Sequence, residues 1–146
     1  MSSPSSSPPE IKLNVEVLQS LLATYPKDKP VHMLNLLRYR PSALYTSPST
    51  TDTNTSDCTG YVAYHECYLP ALRPILAEIG VEIVFMGIAR AGLLEGSDQW
   101  DEVLIVRYPG IETFKRMSES ERYQREAGVH RSAAVGGHML IPMEVE

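Results

Sequence analysis

The sequence predicts an α+β domain in which strands and helices follow the order βαββαβ after one additional N-terminal helix. Three observations predict it: β-branched runs bounded by proline or glycine, apolar residues at helical spacing between those runs, and a length of 146 residues, which suits one domain. Hydrophobic residues make up 43% of the chain and charged residues 21%, so a sizeable core is expected.

The N-terminal part combines a low-complexity segment with a first helix. Residues 1–10 are rich in Ser and Pro, which cannot bury enough apolar surface to offset chain entropy, so we predict a disordered tail. Residues 11–146 are expected to form the single domain. Within it, Ile11 to Tyr25 repeats apolar side chains every three or four positions, which predicts a packing helix.

A strand, an insertion and a long helix are predicted next. The stretch Val31 to Arg38 lies between two prolines and is rich in apolar residues, as expected of a strand. Residues 42–59 contain mostly Ser, Thr, Asp and Pro, and form either a mobile lid or, as we prefer, an idle loop insertion. Gly60 to Gly80 returns to helical spacing, with Pro70 and Pro74 predicting a kink or two shorter pieces.

The C-terminal half predicts two strands, a second helical region and a last strand. The strands are Val81–Ala91 and Trp100–Tyr108, and helical spacing resumes at Ile111. Ser118, with a glutamate three residues later, predicts a capping box that begins a further helix. His138–Val145 is the predicted final strand.

This order is the ferredoxin-like split βαβ order, whose four-stranded sheet carries helices on one face only. The other face must be covered. In a chain of this length a second copy is the expected cover, so we predict a homodimer with two sheets packed face to face.

Several stretches of the sequence resemble one family. They are "PVHMLNLLRYRP", "GYVAY", "WDEVLIVRYPG", "RYQ" and "HRSAA". Together, over residues 30–142, they resemble the larger, MLNLLR-containing members of the domain of unknown function 1330 family, in the dimeric α/β-barrel superfamily. The resemblance implies the ferredoxin-like fold and a dimeric α/β barrel, and it implies no catalytic residues. The Ser/Pro tail and the Ser/Thr-rich insertion depart from the family pattern and suggest a fungal version.

Charge and composition argue against several partners. The net charge of −5 disfavours binding to nucleic acid or to an anionic membrane surface. The two cysteines provide no disulfide framework, and no signal segment precedes the first helix, so we expect a cytoplasmic protein. The four histidines lack metal-ligand spacing and no phosphate-binding glycine loop is present, so neither a metal nor a cofactor is predicted.

The first strand carries polar residues that a fully buried strand does not need. Alternation places Asn35 on one face and Arg38 on the other. A buried guanidinium is costly unless it is paired or faces a ligand. We therefore predict that Arg38 is a catalytic residue that holds a carboxylate, phenolate or enolate, and that Asn35 binds substrate. An ion pair of Arg38 with Asp101 or Glu102 across the sheet is the alternative.

The helix from Gly60 carries a polar stripe that continues into an aliphatic one. Tyr61, Tyr64, His65 and Tyr68 share one side of this helix. Phenol and imidazole groups beside apolar walls are typical of a small-molecule pocket. His65 is the expected acid or base, with a usual pKa of about 6.5, and Tyr64 a second catalytic group. Tyrosines of the core and a structural histidine are the alternatives, the latter slightly preferred.

Other candidates lie at the ends of the third strand and the last helix. Asp101 is predicted to orient the catalytic base; the alternative, which we prefer, is a solvated carboxylate at the edge of a strand. Tyr108 is predicted to bind substrate, as are Tyr61 and Tyr68 of the helix from Gly60. His130 and Arg131 are predicted substrate-binding residues. For Arg131 we prefer the alternative, an interaction with the C-terminus of its helix.

These residues indicate a cofactor-independent enzyme of secondary metabolism acting on an apolar, oxygenated small molecule by acid/base proton transfer. Cyclisation, isomerisation or rearrangement is the expected reaction, by analogy with other dimeric α/β barrels. One alternative is a non-catalytic small-molecule binding or stress-linked protein, and a second is a haem-handling protein or cofactorless oxygenase. Catalysis requires a titrating group within hydrogen-bond reach of the substrate. The enzyme hypothesis therefore predicts that His65 and Arg38 point into one cavity.

Overall fold

The computed structural model describes residues 12–45 and 58–145 of the chain. Four strands form one antiparallel sheet in the order β2-β3-β1-β4. They are β1 (Val31–Tyr39), β2 (Glu82–Ile88), β3 (Glu102–Tyr108) and β4 (Val135–Met143). The predicted tail at residues 1–10 and the centre of the predicted insertion at 42–59 lie outside the described residues.

Helices precede, separate and connect these strands in the predicted order. The N-terminal helix is α1 (Val15–Thr24). One continuous helix after β1 is composed of α2 (Gly60–Val62), a π-helical segment π1 (Ala63–Tyr68) and α3 (Leu69–Ile79). After β3 come α4 (Ile111–Glu119) and a second composite helix of α5 (Glu121–Tyr123), π2 (Gln124–Gly128) and α6 (Val129–Ala134). The βαββαβ order with an extra N-terminal helix is thus confirmed.

The core lies between one face of the sheet and the two composite helices. Alternation along β1 buries Val31, Met33, Asn35 and Leu37, as the sequence predicts, and leaves the residues between them more accessible. In β3 the buried set is Glu102, Leu104, Val106 and Tyr108, and Leu37 is paired with Glu102 across the two strands. A carboxylate therefore occupies a core-facing position.

The predicted capping box is displaced along the chain. Ser118 does not cap a helix; its hydroxyl donates to the carbonyl of Lys115, and α4 continues to Glu119. Ser120 is the N-cap of α5, because its hydroxyl accepts from the backbone N–H of Tyr123. The capping motif thus begins two residues later than predicted.

Close backbone contacts fix the start of the α2–π1–α3 helix. The N–H of Gly60 donates to Arg40 O at 3.0 Å, and the N–H of Arg40 donates to Ala134 O at 2.9 Å. A Cβ at Gly60 would lie 2.5 Å from Arg40 O and 2.7 Å from Arg40 N. Glycine is therefore required where this helix meets the ends of β1 and α6. The ends of the predicted insertion meet as well, since Ala43 N–H donates to Cys58 O at 2.9 Å.

None of the helices in the described part of the chain is long and apolar enough to cross a membrane.

Candidate functional site

Glu102, at the start of β3, is the most unusual residue of the core. Its side chain is only 1% exposed. Because a buried carboxylate loses its hydration, it is strongly unfavourable unless hydrogen bonds or an opposite charge replace the lost water. The partners of Glu102 therefore define a site.

Two side chains donate to the same oxygen of Glu102. The Tyr39 hydroxyl donates to Oε1 at 2.5 Å, and His65 Nε2 lies 2.7 Å from that oxygen. Since an ionised carboxylate only accepts hydrogen bonds, Nε2 of His65 carries a proton. In the neutral imidazole this leaves Nδ1 as the acceptor, and the His65 side chain is 22% exposed.

Tyr39 keeps the core-facing alternation of β1 and lies beside an irregularity in β4. Arg38 pairs with Gly137 but Tyr39 pairs with Val135, so β4 has one extra residue at this point. The Asp101 carboxylate accepts from the Tyr39 N–H at 2.8 Å. Asp101 thus fixes the backbone of Tyr39 and does not contact His65, the base it was predicted to orient.

Aromatic rings hold the imidazole of His65 in place. The ring of Tyr61 stacks on it with centroids 4.2 Å apart and an interplanar angle of 26°. Tyr39 meets Tyr61 edge-on at 5.7 Å, and Tyr64 lies 5.8 Å from His65. We call His65, Glu102, Tyr39 and Tyr61 the His65 site. Its imidazole contacts a buried carboxylate through Nε2 while the His65 side chain is 22% exposed, the arrangement of an oriented general base.

The phenol of Tyr39 acts in this site as a donor. Burial raises its pKa, and the hydrogen bond to Glu102 raises it further. Tyr39 therefore remains protonated at neutral pH and keeps one acceptor position of Glu102 occupied. Of Tyr39 and His65, only the imidazole of His65 can therefore serve as a proton acceptor.

A second polar cluster surrounds Arg131 of α6. The side chain is buried, with the residue 5% exposed, and Nη1 donates to His138 Nδ1 at 2.9 Å. The buried hydroxyls of Tyr68 and Tyr123 are 2.9 Å apart, and Tyr64 is also buried. We call Arg131, His138, Tyr64, Tyr68 and Tyr123 the Arg131 cluster. The preferred alternative for Arg131 was an interaction with the C-terminus of its helix, which does not account for its buried hydrogen bond to His138.

Burial and charge set the protonation of the cluster. Burial raises the pKa of Tyr64 and of Tyr68, and the charge of Arg131 acts in the opposite direction on both. Burial lowers the pKa of His138, and Arg131 lowers it further. The cluster therefore consists of one cation among neutral phenols and a neutral imidazole.

Arg38 lies away from both groups. Alternation directs it to the face of the sheet that the helices do not cover, where its guanidinium is 4.7 Å above the ring of Trp100 and donates to Gln99 O at 3.1 Å. A Cβ at Gly137 would lie 2.9 Å from Arg38 Nε, so glycine makes room for this side chain. Arg38 and His65 therefore do not point into one cavity. The alternative ion pair of Arg38 with Asp101 or Glu102 is not formed either, since the guanidinium lies over the Trp100 ring.

The remaining predicted residues are dispersed. Asn35 is buried and donates to Met33 O at 3.2 Å, while Tyr108 packs edge-on against Phe114 with centroids 5.3 Å apart. His130 Nδ1 forms a hydrogen bond of 2.6 Å with the hydroxyl of Tyr45. Of the ten predicted residues, His65 and Tyr61 belong to the His65 site, and Tyr64, Tyr68 and Arg131 belong to the Arg131 cluster, with the Tyr64 ring 5.8 Å from that of His65.

Two functional residues were missed from the sequence. The sequence could have identified both Glu102 and Tyr39, because each occupies a core-facing position in the alternation of its strand. A carboxylate at a core-facing position of "WDEVLIVRY" indicates either a partner or a site.

A surface cavity of about 420 Å³ lies elsewhere, between α3 and α4. Its lining includes Ile75, Ile79 and Met117, and no residue of the His65 site. In the described ranges no three His, Cys, Asp or Glu side chains are placed to hold a metal ion.

The fold and the His65 site together define a ferredoxin-like α+β domain with a buried carboxylate and an oriented imidazole. The chain belongs to the family described as Domain of unknown function (DUF1330), which matches residues 53–144. That match begins after β1 and so does not include the "MLNLLR" stretch.

Solved structures share the fold of this chain. The crystal structure of RPA0582, a protein of unknown function from Rhodopseudomonas palustris, is 32% identical with a TM-score of 0.75, covering 94% of this chain and 97% of that one. Its methylated form gives a TM-score of 0.76 at the same identity, with 94% and 95% covered. A dimeric protein of unknown function and ferredoxin-like fold from Bacteroides fragilis shares 11% identity with a TM-score of 0.50, over 82% of this chain and 100% of that one. No curated protein matches this chain.

Proposed function

We propose that the protein is a cofactor-independent enzyme that acts on an apolar, oxygenated small molecule by acid/base proton transfer. The observation that carries the proposal is the His65 imidazole held at 2.7 Å from a carboxylate that is 1% exposed. Cyclisation, isomerisation and rearrangement all need a proton taken from one atom and returned to another. The proposal includes a role in secondary metabolism and a cytoplasmic location.

His65 is the proposed acid and base. Nδ1 takes a proton from the substrate, the positive charge that forms on the imidazole is stabilised by Glu102, and the same nitrogen returns the proton. Glu102 and Tyr39 are positioning residues, because they act through His65 and not on the substrate. Tyr61 stacks on the imidazole and limits its rotation. Arg38 has no part in this reaction, since it lies on the other face of the sheet.

The open face of the sheet supports a homodimer, as proposed from the sequence. Register places Leu34, Phe85, Ile105 and Ile141 on the face opposite the helices. Phe85 is 51% and Ile141 37% exposed. Contiguous exposed apolar side chains on a sheet indicate an interaction surface, and a second copy would form the dimeric α/β barrel.

Light scattering tests the dimer. We expect twice the chain mass at micromolar concentration, and Ile141→Glu to give the monomer mass because a charge would be buried in the interface. Val17→Glu, at an exposed valine of α1, is the matched control and should remain dimeric. A monomeric wild type would refute the homodimer.

Metabolite profiling tests the enzyme. In the source organism the gene is deleted and then restored as wild type, His65→Gln or Arg38→Ala. We expect deletion to accumulate a precursor or isomer that wild type and Arg38→Ala remove and His65→Gln does not. Removal by His65→Gln would contradict the assigned base, and four identical profiles would favour a non-catalytic binding protein.

The relation to the larger, fungal-type members of the family is likewise a proposal, supported by the stretches of sequence that resemble that family.

A further inference from the structure

Arg131 is a buried cation without a carboxylate partner among residues 12–45 and 58–145. Its residue is 5% exposed, and its guanidinium hydrogen-bonds to His138 Nδ1 and to the hydroxyl of Tyr64, both of them neutral groups. The ion pairs of the described residues all involve other side chains. Buried charges in proteins are normally paired, because desolvation of an isolated ion is unfavourable by several kcal/mol.

The surrounding groups compensate this charge only in part. Tyrosine hydroxyls are dipoles and carry no charge while protonated, and burial raises the pKa of the phenols. The C-terminal end of a helix supplies about half a negative charge at most. Glu102, the buried carboxylate of the same sheet face, already accepts from Tyr39 and His65. Among residues 12–45 and 58–145, therefore, no side chain supplies a full negative charge to this guanidinium.

We propose that the Arg131 cluster binds the carboxylate of the substrate, so that the substrate class is apolar or aromatic carboxylic acids. A guanidinium presents a planar fork of donors that matches a carboxylate, and the buried phenols add further donors and aromatic walls. This inference rests on the proposed function, because it assigns the substrate of the same site.

The position of the cluster agrees with chemistry at His65. Tyr64 belongs to the Arg131 cluster and is the residue before His65, with ring centroids 5.8 Å apart. A carboxylate held at Arg131 directs the adjacent carbon towards His65. As Nδ1 removes the proton from that carbon, the electron pair moves onto the carboxylate oxygens, where Arg131 neutralises the growing charge. Return of the proton from Nδ1 to a different atom of the same molecule then gives the rearranged acid.

Benzoate and benzamide are suitable probes, since the two are nearly isosteric and differ in charge. Binding is measured by calorimetry on the full chain at constant ionic strength. We expect wild type to bind benzoate at least about tenfold more tightly than benzamide, because hydrogen bonds to a charged group contribute about 1.5–3 kcal/mol. Arg131→Lys keeps the charge but loses the fork, so its benzoate Kd should be at least about tenfold weaker.

Arg38→Met is the matched control, because it removes an arginine from the other face of the sheet. It should bind benzoate within about threefold of wild type. Equal binding of benzoate and benzamide by wild type would overturn the inference without any variant. It would also be overturned if Arg38→Met lost benzoate binding and a folded Arg131→Lys kept it.

The outcomes separate this inference from the enzyme proposal. Benzoate binding that depends on Arg131, in a protein that transfers no proton, supports the carboxylate site and refutes the enzyme. Proton transfer that depends on His65 without preference for benzoate supports the enzyme and refutes the carboxylate site. If Arg131→Lys does not fold, Tyr123→Phe replaces it, and an unchanged benzoate Kd in that variant counts against the cluster.

Discussion

Replacing Tyr39 with Phe removes one of the two donors that stabilise the buried charge of Glu102. The ring contacts of Tyr39 with Tyr61 and Tyr64 are retained, so the change leaves no cavity. At 2.5 Å the bond from Tyr39 to Glu102 is at the short end for an O–H donor to a carboxylate. Hydrogen bonds to charged groups contribute about 1.5–3 kcal/mol, so we expect the free energy of unfolding to fall by about 2 kcal/mol.

Urea denaturation followed by circular dichroism measures this loss. Tyr61→Phe is the matched control, since the Tyr61 ring is 46% exposed, and should change the free energy of unfolding by less than about 0.5 kcal/mol. A double-mutant cycle then isolates the charge. In a Glu102→Gln background the effect of Tyr39→Phe should fall below about 1 kcal/mol, because a neutral acceptor makes a weaker bond.

The result that would refute this reasoning is a Tyr39→Phe variant as stable as Tyr61→Phe. An equal loss with and without the Glu102 charge would refute it too, because the loss would then reflect ring packing.

Two further changes test the surroundings of the site. The pKa of His138 lies below its usual 6.5 because of burial and Arg131, so the unfolded chain binds the proton more readily. The stability that neutral His138 contributes is present above pH 6.5 and is lost as the pH falls through the folded-state pKa. In His138→Asn the amide oxygen still accepts from Arg131, so the free energy of unfolding should depend less on pH between about 7 and 5. An unchanged slope would count against this reasoning. Gly60→Ala should lower the free energy of unfolding by about 3 kcal/mol or more, because its Cβ would meet the Arg40 backbone. Gly128→Ala should be nearly neutral, because its Cβ would lie 3.4 Å from the Tyr123 ring, an ordinary contact distance. Equal melting temperatures of the two glycine variants would contradict the contact.

The order of elements was predictable because it depends on short-range patterns. Period-two burial along β1 assigned Leu37 and Arg38 to opposite faces, and proline and glycine marked most element ends. The π-helical segments π1 and π2 were not predictable. A single wide turn changes apolar spacing by less than one position, which periodicity over six residues cannot resolve.

The site was predictable in part. His65 and Tyr64 were identified from their spacing on one helix, but Asp101 was chosen over Glu102 as the orienting carboxylate. The two are adjacent, and parity decides between them only once the register of β3 against β1 is known. Arg38 was predicted to act with His65 because the sequence gives the face of a strand but not which face the helices cover.

The measurement that most directly tests the assigned chemistry is solvent deuterium incorporation. The purified protein is incubated in D2O with small-molecule extract of the source organism, and mass spectrometry detects new carbon-bound deuterium. We predict that wild type and His130→Gln, whose imidazole pairs with Tyr45, label at least one metabolite and that His65→Gln labels none. Equal labelling by wild type and His65→Gln, or the absence of labelling by wild type, would contradict proton transfer at His65.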